Sequence, residues 1–341
     1  MDKILVVQTA FLGDVILVTP LVRALRELYP EAAIDVLVRP QNAPALLHNP
    51  HIRRALFFDK NRAKWPEFFR LLRQIRRERY SAAISPHSSF TTALLLRFSG
   101  IGRRVGFDRY LARHLLTDRV QHKRGVHKTQ KILELLKAFD PREFSHQTEI
   151  FTIEVEEARA AVLIESENTI AISPGSVWPT KRWPRDYYVK LTHALAGTGY
   201  NLVFIGGGDE QALCADIIHS AEVVALNLAG ELSVTESAAC LRRCRLLVCN
   251  DSGALHIANA VQTPVYAFFG PTVTRFGYYP FREGDRVFQV ELPCRPCGGH
   301  GSKVCPLRHH DCMMKILPEQ VYAEIVKQFP AIPSDPQEAR T

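Results

Sequence analysis

The sequence predicts an α/β protein built from two doubly wound, Rossmann-like domains that face a central cleft. The chain has 341 residues, and a single hydrophobic core rarely grows beyond about 250–300 residues. Short, continuous apolar runs alternate with amphipathic stretches, as in parallel strands that helices cover on both faces. This rhythm starts at residue 3 and restarts at residue 169. Two sheets therefore fit the chain better than one.

The predicted strands form two series, separated by a charged stretch at residues 154–168. The first series is 3–8, 33–38, 55–58 and 81–86, and a helix over 14–29 follows its first member. The second series is 169–174, 201–206, 223–228, 245–250 and 264–270. They define domains at 1–160 and 168–317, with a last helix at 318–330 that could cross back to the first domain. Ligands bind at the carboxyl ends of strands in such sheets, so we expect the site in the cleft.

The positive charge of the chain is confined to its first half. The formal net charge is +8. Residues 1–165 hold 27 Lys and Arg against 18 Asp and Glu, whereas residues 166–341 hold 16 against 17. Such an asymmetry suggests an acidic partner: nucleic acid, a membrane surface or an anionic substrate. A basic surface that only confers solubility is the alternative.

Composition and the apolar runs favour a cytosolic protein. Hydrophobic residues make up 46% of the chain, and no apolar run reaches the roughly 18 residues that a membrane-spanning helix needs. The first residues, MDKILVVQTAFLGD, read as a buried strand without a signal-peptide cleavage site. We expect most of the eight cysteines to be reduced thiols.

Asp14 is the first candidate catalytic residue. It follows the first predicted strand, directly after Gly13, where the chain turns into a helix. One interpretation is that Asp14 caps this helix, which is a common role for aspartate. The other is that its carboxylate faces the cleft and can take a proton from a hydroxyl group.

A candidate phosphate-binding loop follows the first strand of the second domain. Residues 173–184 read SPGSVWPTKRWP and contain Ser176, Thr180 and Lys181. Small hydroxyl residues, a glycine and cations before a helix can cradle a phosphate. The spacing is not that of a Walker A loop. A surface loop pinned by its tryptophans is the alternative.

Two further clusters lie at predicted strand ends. The segment NDSGALH contains Asp251, Ser252, Gly253 and His256, and its free backbone N–H groups would face an anion. The segment GGGDE contains Glu210 and lacks the dinucleotide-binding spacing. Residues 269–272, FGPT, end a later strand. A histidine near an anion-binding helix start favours function, although a lone histidine is more often structural.

Four cysteines form a separate cluster in a glycine- and proline-rich segment. Cys294, Cys297, Cys305 and Cys312 are interspersed with histidines, and this spacing could support a structural zinc ion. Four reduced thiols without metal, or a disulfide formed in air, are the alternatives. In either case we expect the cluster to stabilise its loop rather than to act in catalysis.

Together these segments resemble the bacterial ADP-heptose:lipopolysaccharide heptosyltransferases of glycosyltransferase family 9, which have the GT-B fold. The matching text is ILVVQTAFLGDVILVTPLVRALRELYP, PGSVWPTKRWP and NDSGALHIANAVQTPVYAFFGPT, in the family's order. The cysteine segment is most similar to the heptosyltransferase II branch, which adds the second heptose.

The resemblance implies an inverting, metal-independent transfer of heptose from ADP-L-glycero-D-manno-heptose to heptosyl-Kdo2-lipid A, with no cofactor required. It implies that Asp14 is the general base and that Lys181 stabilises the departing diphosphate. Donor-binding residues carried over by motif are Ser176, Thr180, Lys181, Glu210, Asp251, Ser252, Gly253 and His256.

The lipid A–Kdo acceptor is acidic and is therefore expected on the basic first domain. The candidate contacts are Arg73, Arg76 and Arg77 on one predicted helix, and Arg103 and Arg104 in a loop-rich stretch. We expect a cytoplasmic monomer, peripheral at the inner face of the inner membrane.

A family-9 enzyme with another donor or acceptor is the first alternative. A nicotinamide-dependent dehydrogenase is disfavoured, because neither half of the chain carries the glycine fingerprint followed by an acidic residue. A nucleic-acid-binding protein would leave the strand-end clusters unexplained.

Overall fold

The computed structural model describes residues 1–59 and 64–332. The chain divides into two units, Met1–Phe151 and Thr152–Thr341. Each unit contains one six-stranded parallel sheet, which confirms the predicted α/β class. Across the described part of the chain, no helix has the length and apolar character needed to cross a bilayer.

The sheet of the first unit reverses its strand order at its centre. Its strands are β1 (Lys3–Val7), β2 (Ala33–Val38), β3 (Arg54–Phe57), β4 (Ala82–Ser85), β5 (Arg103–Phe107) and β6 (Asp118–Val120). They lie in the order β3-β2-β1-β4-β5-β6. The direction of succession therefore changes between β1 and β4, and ligands bind at such a switch point.

The helices of this unit are α1 (Leu12–Ile16), α2 (Thr19–Leu28), α3 (Lys64–Glu78), α4 (Phe90–Phe98) and α5 (Lys128–Leu133). The single helix predicted over 14–29 is thus two helices. Pro20 lies at the start of α2, where its missing N–H costs no hydrogen bond. The hydroxyl of Thr19 donates to the carbonyl of Ile16 at 2.8 Å and joins the two helices.

Strands β5 and β6 were not predicted, and the expectation of a loop-rich stretch around Arg103 and Arg104 is wrong. The sequence of β5 is RRVGF, in which two arginines precede a short apolar run. Both side chains are only partly exposed, because other residues of the unit bind their guanidinium groups. A sequence pattern based on apolar runs misses a strand of this kind.

The second sheet has the same topology. Its strands are β7 (Thr169–Ser173), β8 (Asn201–Phe204), β9 (Leu226–Asn227), β10 (Leu246–Asn250), β11 (Val265–Phe268) and β12 (Arg286–Phe288). They lie in the order β12-β11-β10-β7-β8-β9, with the switch point between β10 and β7. The strand predicted over 223–228 shortens to two residues, and Val224 is fully exposed.

The helices around this sheet are α6 (Glu154–Leu163), α7 (Arg185–Gly197), α8 (Gln211–Ser220), α9 (Val234–Arg242), α10 (Gly253–Ala260), α11 (Asp311–Met314) and α12 (Pro318–Gln328). The charged stretch predicted between the domains contains α6, which packs on α9 of the second unit. The helix predicted at 318–330 is α12, and it packs on α7 of the same unit.

Trp183 lies at the centre of the second core. Its ring stacks on Phe268 with 4.3 Å between ring centroids, and its indole N–H donates to the carbonyl of Ile316 at 2.9 Å. The side chain is 1% exposed. Burial of a large aromatic ring with its polar atom satisfied fixes the start of α7 against β11.

A partly buried ionic cluster joins strands β2 and β3 to the end of α3. Asp35 is fully buried and accepts from Arg53 at 2.8 and 2.6 Å and from Arg54 at 3.2 Å. Glu78 pairs with the same two arginines at 2.9 and 2.5 Å. Hydrogen bonds from Arg53 and Arg54 lower the pKa of Glu78 to about 2.

This cluster predicts a pH-dependent contribution to stability. Because the pKa of Glu78 falls from 4.5 to about 2 on folding, its contribution is complete above pH 4.5 and is lost as the pH falls towards 2. We expect Glu78→Gln to lower the free energy of unfolding by about 2 kcal/mol at pH 7 and by much less near pH 2. Urea unfolding at both pH values measures this, with exposed Glu31→Gln as the control. An equal loss at the two pH values would contradict the assignment.

Candidate active site

The loops that follow β7 and β10 meet at the switch point of the second sheet. These strands are neighbours in the sheet, so the segment 174–184 after β7 and the segment 251–256 after β10 leave the same edge. The segment 269–272 follows β11, the next strand along. Three of the predicted clusters are therefore brought together at one edge.

The side chain of Asn250 holds two of these segments together. Its Oδ1 accepts from the backbone N–H of Trp183 at 2.8 Å. Its Nδ2 donates to the carbonyls of Pro174 at 2.8 Å and Gly175 at 3.1 Å. Asn250 is fully buried, so the amide ties both ends of the 174–183 loop to the end of β10. None of the roles predicted from the sequence falls on Asn250, although a polar residue at the end of an apolar strand was a usable signal.

Lys181 and Asp251 form a nearly buried ion pair at this edge. The Lys181 Nζ lies 2.6 Å from the Asp251 Oδ2, with side-chain exposures of 13% and 8%. The hydroxyl of Thr272 donates to the same carboxylate oxygen at 2.7 Å. Asp251 therefore orients the ammonium group of Lys181, and Thr272 orients Asp251. An oriented cation at a strand end can bind a phosphate.

Ser252 starts α10 with its hydroxyl unused. It occupies the N-cap position, but its side chain makes no capping hydrogen bond. The Ser252 Oγ is buried and has no hydrogen-bond partner among the described residues. Unsatisfied N–H groups at a helix start and an adjacent free hydroxyl favour an anion. Gly253, the first residue of α10, adds no side chain there.

Ser176 and Thr180 are buried and serve the loop itself. Ser176 is 4% exposed, and its carbonyl accepts from the Arg182 Nε at 2.9 Å. Thr180 is 6% exposed. Its hydroxyl donates to the carbonyl of Ser302 at 2.9 Å and accepts from the Ser302 N–H at 2.8 Å. In this arrangement Thr180 joins the loop to the cysteine segment.

Glu210 lies against the same loop. A Cβ added to Gly175 would be 1.6 Å from the Glu210 Oε1, so a larger residue at 175 would displace the Glu210 carboxylate. The Glu210 Oε2 accepts from the N–H of Gly207 at 3.0 Å. Burial raises the pKa of Glu210, and the Gly207 hydrogen bond offsets part of this. The structure thus brings Glu210 to the 174–183 loop.

His256 lies within α10 and is 6% exposed. Its ring packs edge-on against Tyr278, with 6.2 Å between centroids. The side chain therefore lies on the helix that starts at the candidate anion site, one turn after Ser252, but is largely covered by the core.

Zinc, one of the alternatives for the four cysteines, is not supported. Among residues 1–59 and 64–332, no three His, Cys, Asp or Glu side chains form a group that could hold a metal ion. The thiols have other surroundings: Cys312 is 5% exposed in the core, and Cys297 donates to the carbonyl of Cys294 at 3.3 Å. Burial raises the pKa of Cys305, but hydrogen bonds from the backbone of residues 307–310 lower it by more.

The cysteine segment supports the loop that carries Lys181. Ser302 bonds Thr180 as described, and the ring of His310 contacts the carbonyl of Thr180 at 2.8 Å. A Cβ on Gly301 would lie 2.5 Å from Trp178, so the two segments touch. The segment is therefore structural support for the candidate site.

In the first unit, Asp14 lies after β1 at the switch point of the sheet. It sits in the first turn of α1, whose N-cap is Phe11 without a side-chain cap. The capping interpretation of Asp14 is therefore wrong. Asp14 interacts electrostatically with Lys128 at the start of α5. Burial lowers the pKa of Lys128, and the negative charge of Asp14 raises it.

The five arginines predicted to contact an acidic partner differ in their surroundings. Arg73, Arg76 and Arg77 are exposed on α3, and the Arg76 Nε donates to the carbonyl of Phe98 at 2.9 Å. Arg103 pairs with Asp118 at 3.1 Å and stacks on Phe139, 4.2 Å from the ring centroid. Arg104 donates to the carbonyls of Leu115 and Ile101 at 2.9 and 2.5 Å. The last two therefore stabilise their own unit.

The role of Asn250 predicts that its removal weakens ligand binding at this edge of the sheet. Asn250→Ala leaves the Trp183 N–H and two carbonyls without their partner, at a cost of about 1–3 kcal/mol each for a buried group that stays unsatisfied. For the ADP-linked donor that the family resemblance implies, we expect nucleoside diphosphate binding to weaken at least about tenfold. Calorimetric titration with ADP measures this, and Asn201→Ala, exposed at the start of β8, is the control. Unchanged ADP binding would show that the loop keeps its conformation without the amide.

Similarity to known proteins identifies the family of this chain. The chain is 27% identical over 322 residues to lipopolysaccharide heptosyltransferase 2 of Escherichia coli K12, across 83% of this chain and 91% of that protein. The structure of E. coli ADP-heptose lps heptosyltransferase II superimposes with a TM-score of 0.78 at 26% identity, covering 96% of this chain and 98% of that one.

A glycosyl transferase family 9 structure from Veillonella parvula has a TM-score of 0.84 at 21% identity, covering 96% of this chain and 98% of that one. At this identity the likeness concerns the fold alone, which is GT-B. A family model described as glycosyltransferase family 9 (heptosyltransferase) matches residues 68–307. The chain therefore belongs to glycosyltransferase family 9, and it is a glycosyltransferase.

Proposed function

We propose that this enzyme transfers heptose from ADP-L-glycero-D-manno-heptose to the inner core of lipopolysaccharide, with heptosyl-Kdo2-lipid A as the acceptor. The relative and the solved structure that cover most of the chain carry the names heptosyltransferase 2 and heptosyltransferase II. The observation that carries the proposal is the site at the switch point of the second sheet. There the paired Lys181 and Asp251 lie beside the unsatisfied hydroxyl of Ser252.

The diphosphate of the donor would bind between Lys181 and the start of α10. Lys181 supplies the charge, Ser252 donates its free hydroxyl, and the N–H groups from Gly253 onwards supply the helix-end potential. Asp251 would hold Lys181 in position and touch the donor sugar. Ser176 and Thr180 would shape the loop, and Glu210 and His256 would line the ribose and sugar sides.

The reaction we propose is a direct displacement with inversion and without a metal ion. An acceptor hydroxyl oxygen attacks the anomeric carbon while the bond from that carbon to the β-phosphate oxygen breaks. The proton of the hydroxyl goes to Asp14, and the bonding electrons leave with ADP. Lys181 and the start of α10 stabilise the negative charge that grows on the departing diphosphate, which is where electrostatic stabilisation lowers the barrier.

The acidic acceptor would be attracted to the first unit, where the excess positive charge lies. Arg73, Arg76 and Arg77 are exposed on α3 and could contact phosphates or a membrane surface. Arg103 and Arg104 would act through the fold, because their guanidinium groups are already bound. We propose a monomer that works peripherally at the cytoplasmic face of the inner membrane.

The direct test is incubation with ADP-heptose and lipid acceptors of defined core length, followed by mass spectrometry. The expected product is one heptose heavier than heptosyl-Kdo2-lipid A. Transfer to Kdo2-lipid A instead would move the assignment to another acceptor. Turnover only with a different nucleotide sugar would replace heptose as the donor.

Asp14→Asn tests the proposed base. The substitution keeps the size of the side chain and removes its basicity, so turnover should fall by about 10²–10⁴. ADP affinity should stay within a few-fold, because Asp14 lies in the unit that does not hold the nucleotide. Initial rates and calorimetry measure the two effects, with exposed Asp2→Asn as the control. Near-normal turnover of Asp14→Asn would place the base elsewhere.

Lys181→Ala tests the proposed diphosphate contact. The ammonium group should interact more strongly as charge develops on the leaving group, so both ADP binding and kcat should fall. We expect a loss of about 10–100-fold in ADP affinity, since contacts to charged groups contribute about 1.5–3 kcal/mol. Lys190→Ala, exposed on α7, is the matched control. Unchanged ADP affinity in Lys181→Ala would remove the lysine from the phosphate site.

A further inference from the structure

A groove of about 500 Å³ opens on the first unit between the segments that follow β4 and β5. Its walls include Ser88 and Phe90 on one side and Tyr110, Leu111 and Arg113 on the other. The groove lies in the unit to which the proposed function assigns the acceptor.

Three large side chains with apolar surface are exposed in the groove. Phe90 is 51%, Tyr110 67% and Leu111 69% exposed. Tyr110 also has a φ of 53°, a conformation that costs a residue with a side chain about 1–3 kcal/mol. The core gains nothing from the ring, so this strain is not offset by burial. A strained, exposed aromatic residue is typical of a ligand contact.

Cations flank the aromatic surface. The Arg109 guanidinium lies 4.8 Å from the centroid of the Tyr110 ring and donates to its hydroxyl at 2.8 Å. Arg113 is exposed, and its Nε donates to the His114 ring at 3.3 Å. Asp108 lies 3.9 Å from Arg113 and offsets part of this charge. The groove remains basic on balance.

The groove and Asp14 occupy the same edge of the first sheet. Asp14 follows β1, Phe90 lies after β4 and Tyr110 after β5, and these strands are parallel neighbours. Lys128 lies close enough to Asp14 and to Arg109 for both charges to shift its pKa, although burial has the larger effect. A molecule held in the groove could therefore present a hydroxyl group towards Asp14.

We infer that this groove binds the acidic saccharide of the acceptor, with Tyr110 and Phe90 against sugar faces and Arg109 and Arg113 at its carboxylate or phosphate groups. The inference rests on the proposed function for the identity of the acceptor. It adds residues that recognise the acceptor, in place of Arg103 and Arg104, whose side chains are committed to the fold.

The chemistry of the groove favours a saccharide over the other acidic candidates. Sugars present C–H faces that pack on aromatic rings, and an open groove leaves their hydroxyl groups in water. An acyl chain would need an enclosed apolar cavity, whereas this groove is open and edged by charged groups. A flat bilayer surface would contact protruding side chains rather than a groove, so vesicle binding should not depend on it.

The test uses the full-length protein and deacylated heptosyl-Kdo2-lipid A, a soluble saccharide that keeps its acidic groups. Calorimetry should show saccharide affinity about tenfold lower in Tyr110→Gly and in Arg113→Ala, the range expected for an aromatic contact or a charged hydrogen bond. Glycine adopts the φ of Tyr110 without strain, so the backbone is kept. Arg119→Ala, an exposed cation of β6, should change the affinity less than about twofold. ADP affinity should be unchanged in all three variants.

Three outcomes would overturn the inference. The first is wild-type saccharide affinity in Tyr110→Gly and Arg113→Ala. The second is an equal loss of affinity in Arg119→Ala, which would indicate unspecific charge attraction. The third is that the groove variants lose binding to vesicles of anionic phospholipid and keep binding to the saccharide. The proposed function is judged separately, by whether the wild-type enzyme makes the heptosylated product. A wild-type enzyme that binds the saccharide through Tyr110 without transferring heptose would refute the function and leave the groove assigned.

Discussion

The side-chain amide of Asn250 makes three hydrogen bonds at the end of β10, all of them buried. They hold the beginning and the end of the loop that carries Lys181, so the loop cannot swing away from the sheet as a unit. Asp251 follows directly and pairs with Lys181, while Ser252 begins the helix whose N–H groups face the same edge. A displacement of this amide would move the Lys181 ammonium group, its partner Asp251 and the start of α10 relative to one another. Preorganisation of this kind matters because a transition state is stabilised only by groups already in place.

The support of this site extends beyond the two strands. Thr180 and Ser302 exchange hydrogen bonds, and Trp183 fixes the other end of the loop in the core. The loop is thus fixed to β10, to the core and to the cysteine segment. Because the loop is already ordered in the folded protein, its conformational entropy is lost during folding rather than on binding. The interaction energy of a ligand is then not reduced by the ordering of this loop.

The sequence predicted the strands that are continuous apolar runs and missed those that are not. The runs at β1, β2, β7 and β10 reach the described strands within one residue at either end. β5 was missed because its arginines bind groups outside the strand, such as Asp118 for Arg103 and the carbonyl of Leu115 for Arg104. The motifs placed Lys181, Asp251 and Ser252 at one edge, because strand ends in a parallel sheet converge. They could not show that Thr180 is turned to Ser302, since that contact spans 122 positions, or that Tyr110 borders a groove.

The placement of Trp183 has a spectroscopic consequence. The chain has three tryptophans: Trp183 is 1% exposed in the second unit, and Trp65 is 58% exposed in the first, while Trp178 is partly exposed beside the loop. An indole in water emits at longer wavelength than one in an apolar core. Unfolding of the second unit should therefore shift the emission of Trp183 to the red, whereas unfolding of the first changes the emission wavelength little. Intrinsic fluorescence thus reports chiefly on the unit that holds the candidate active site, and the signal of Trp178 adds a local probe of the loop around Lys181.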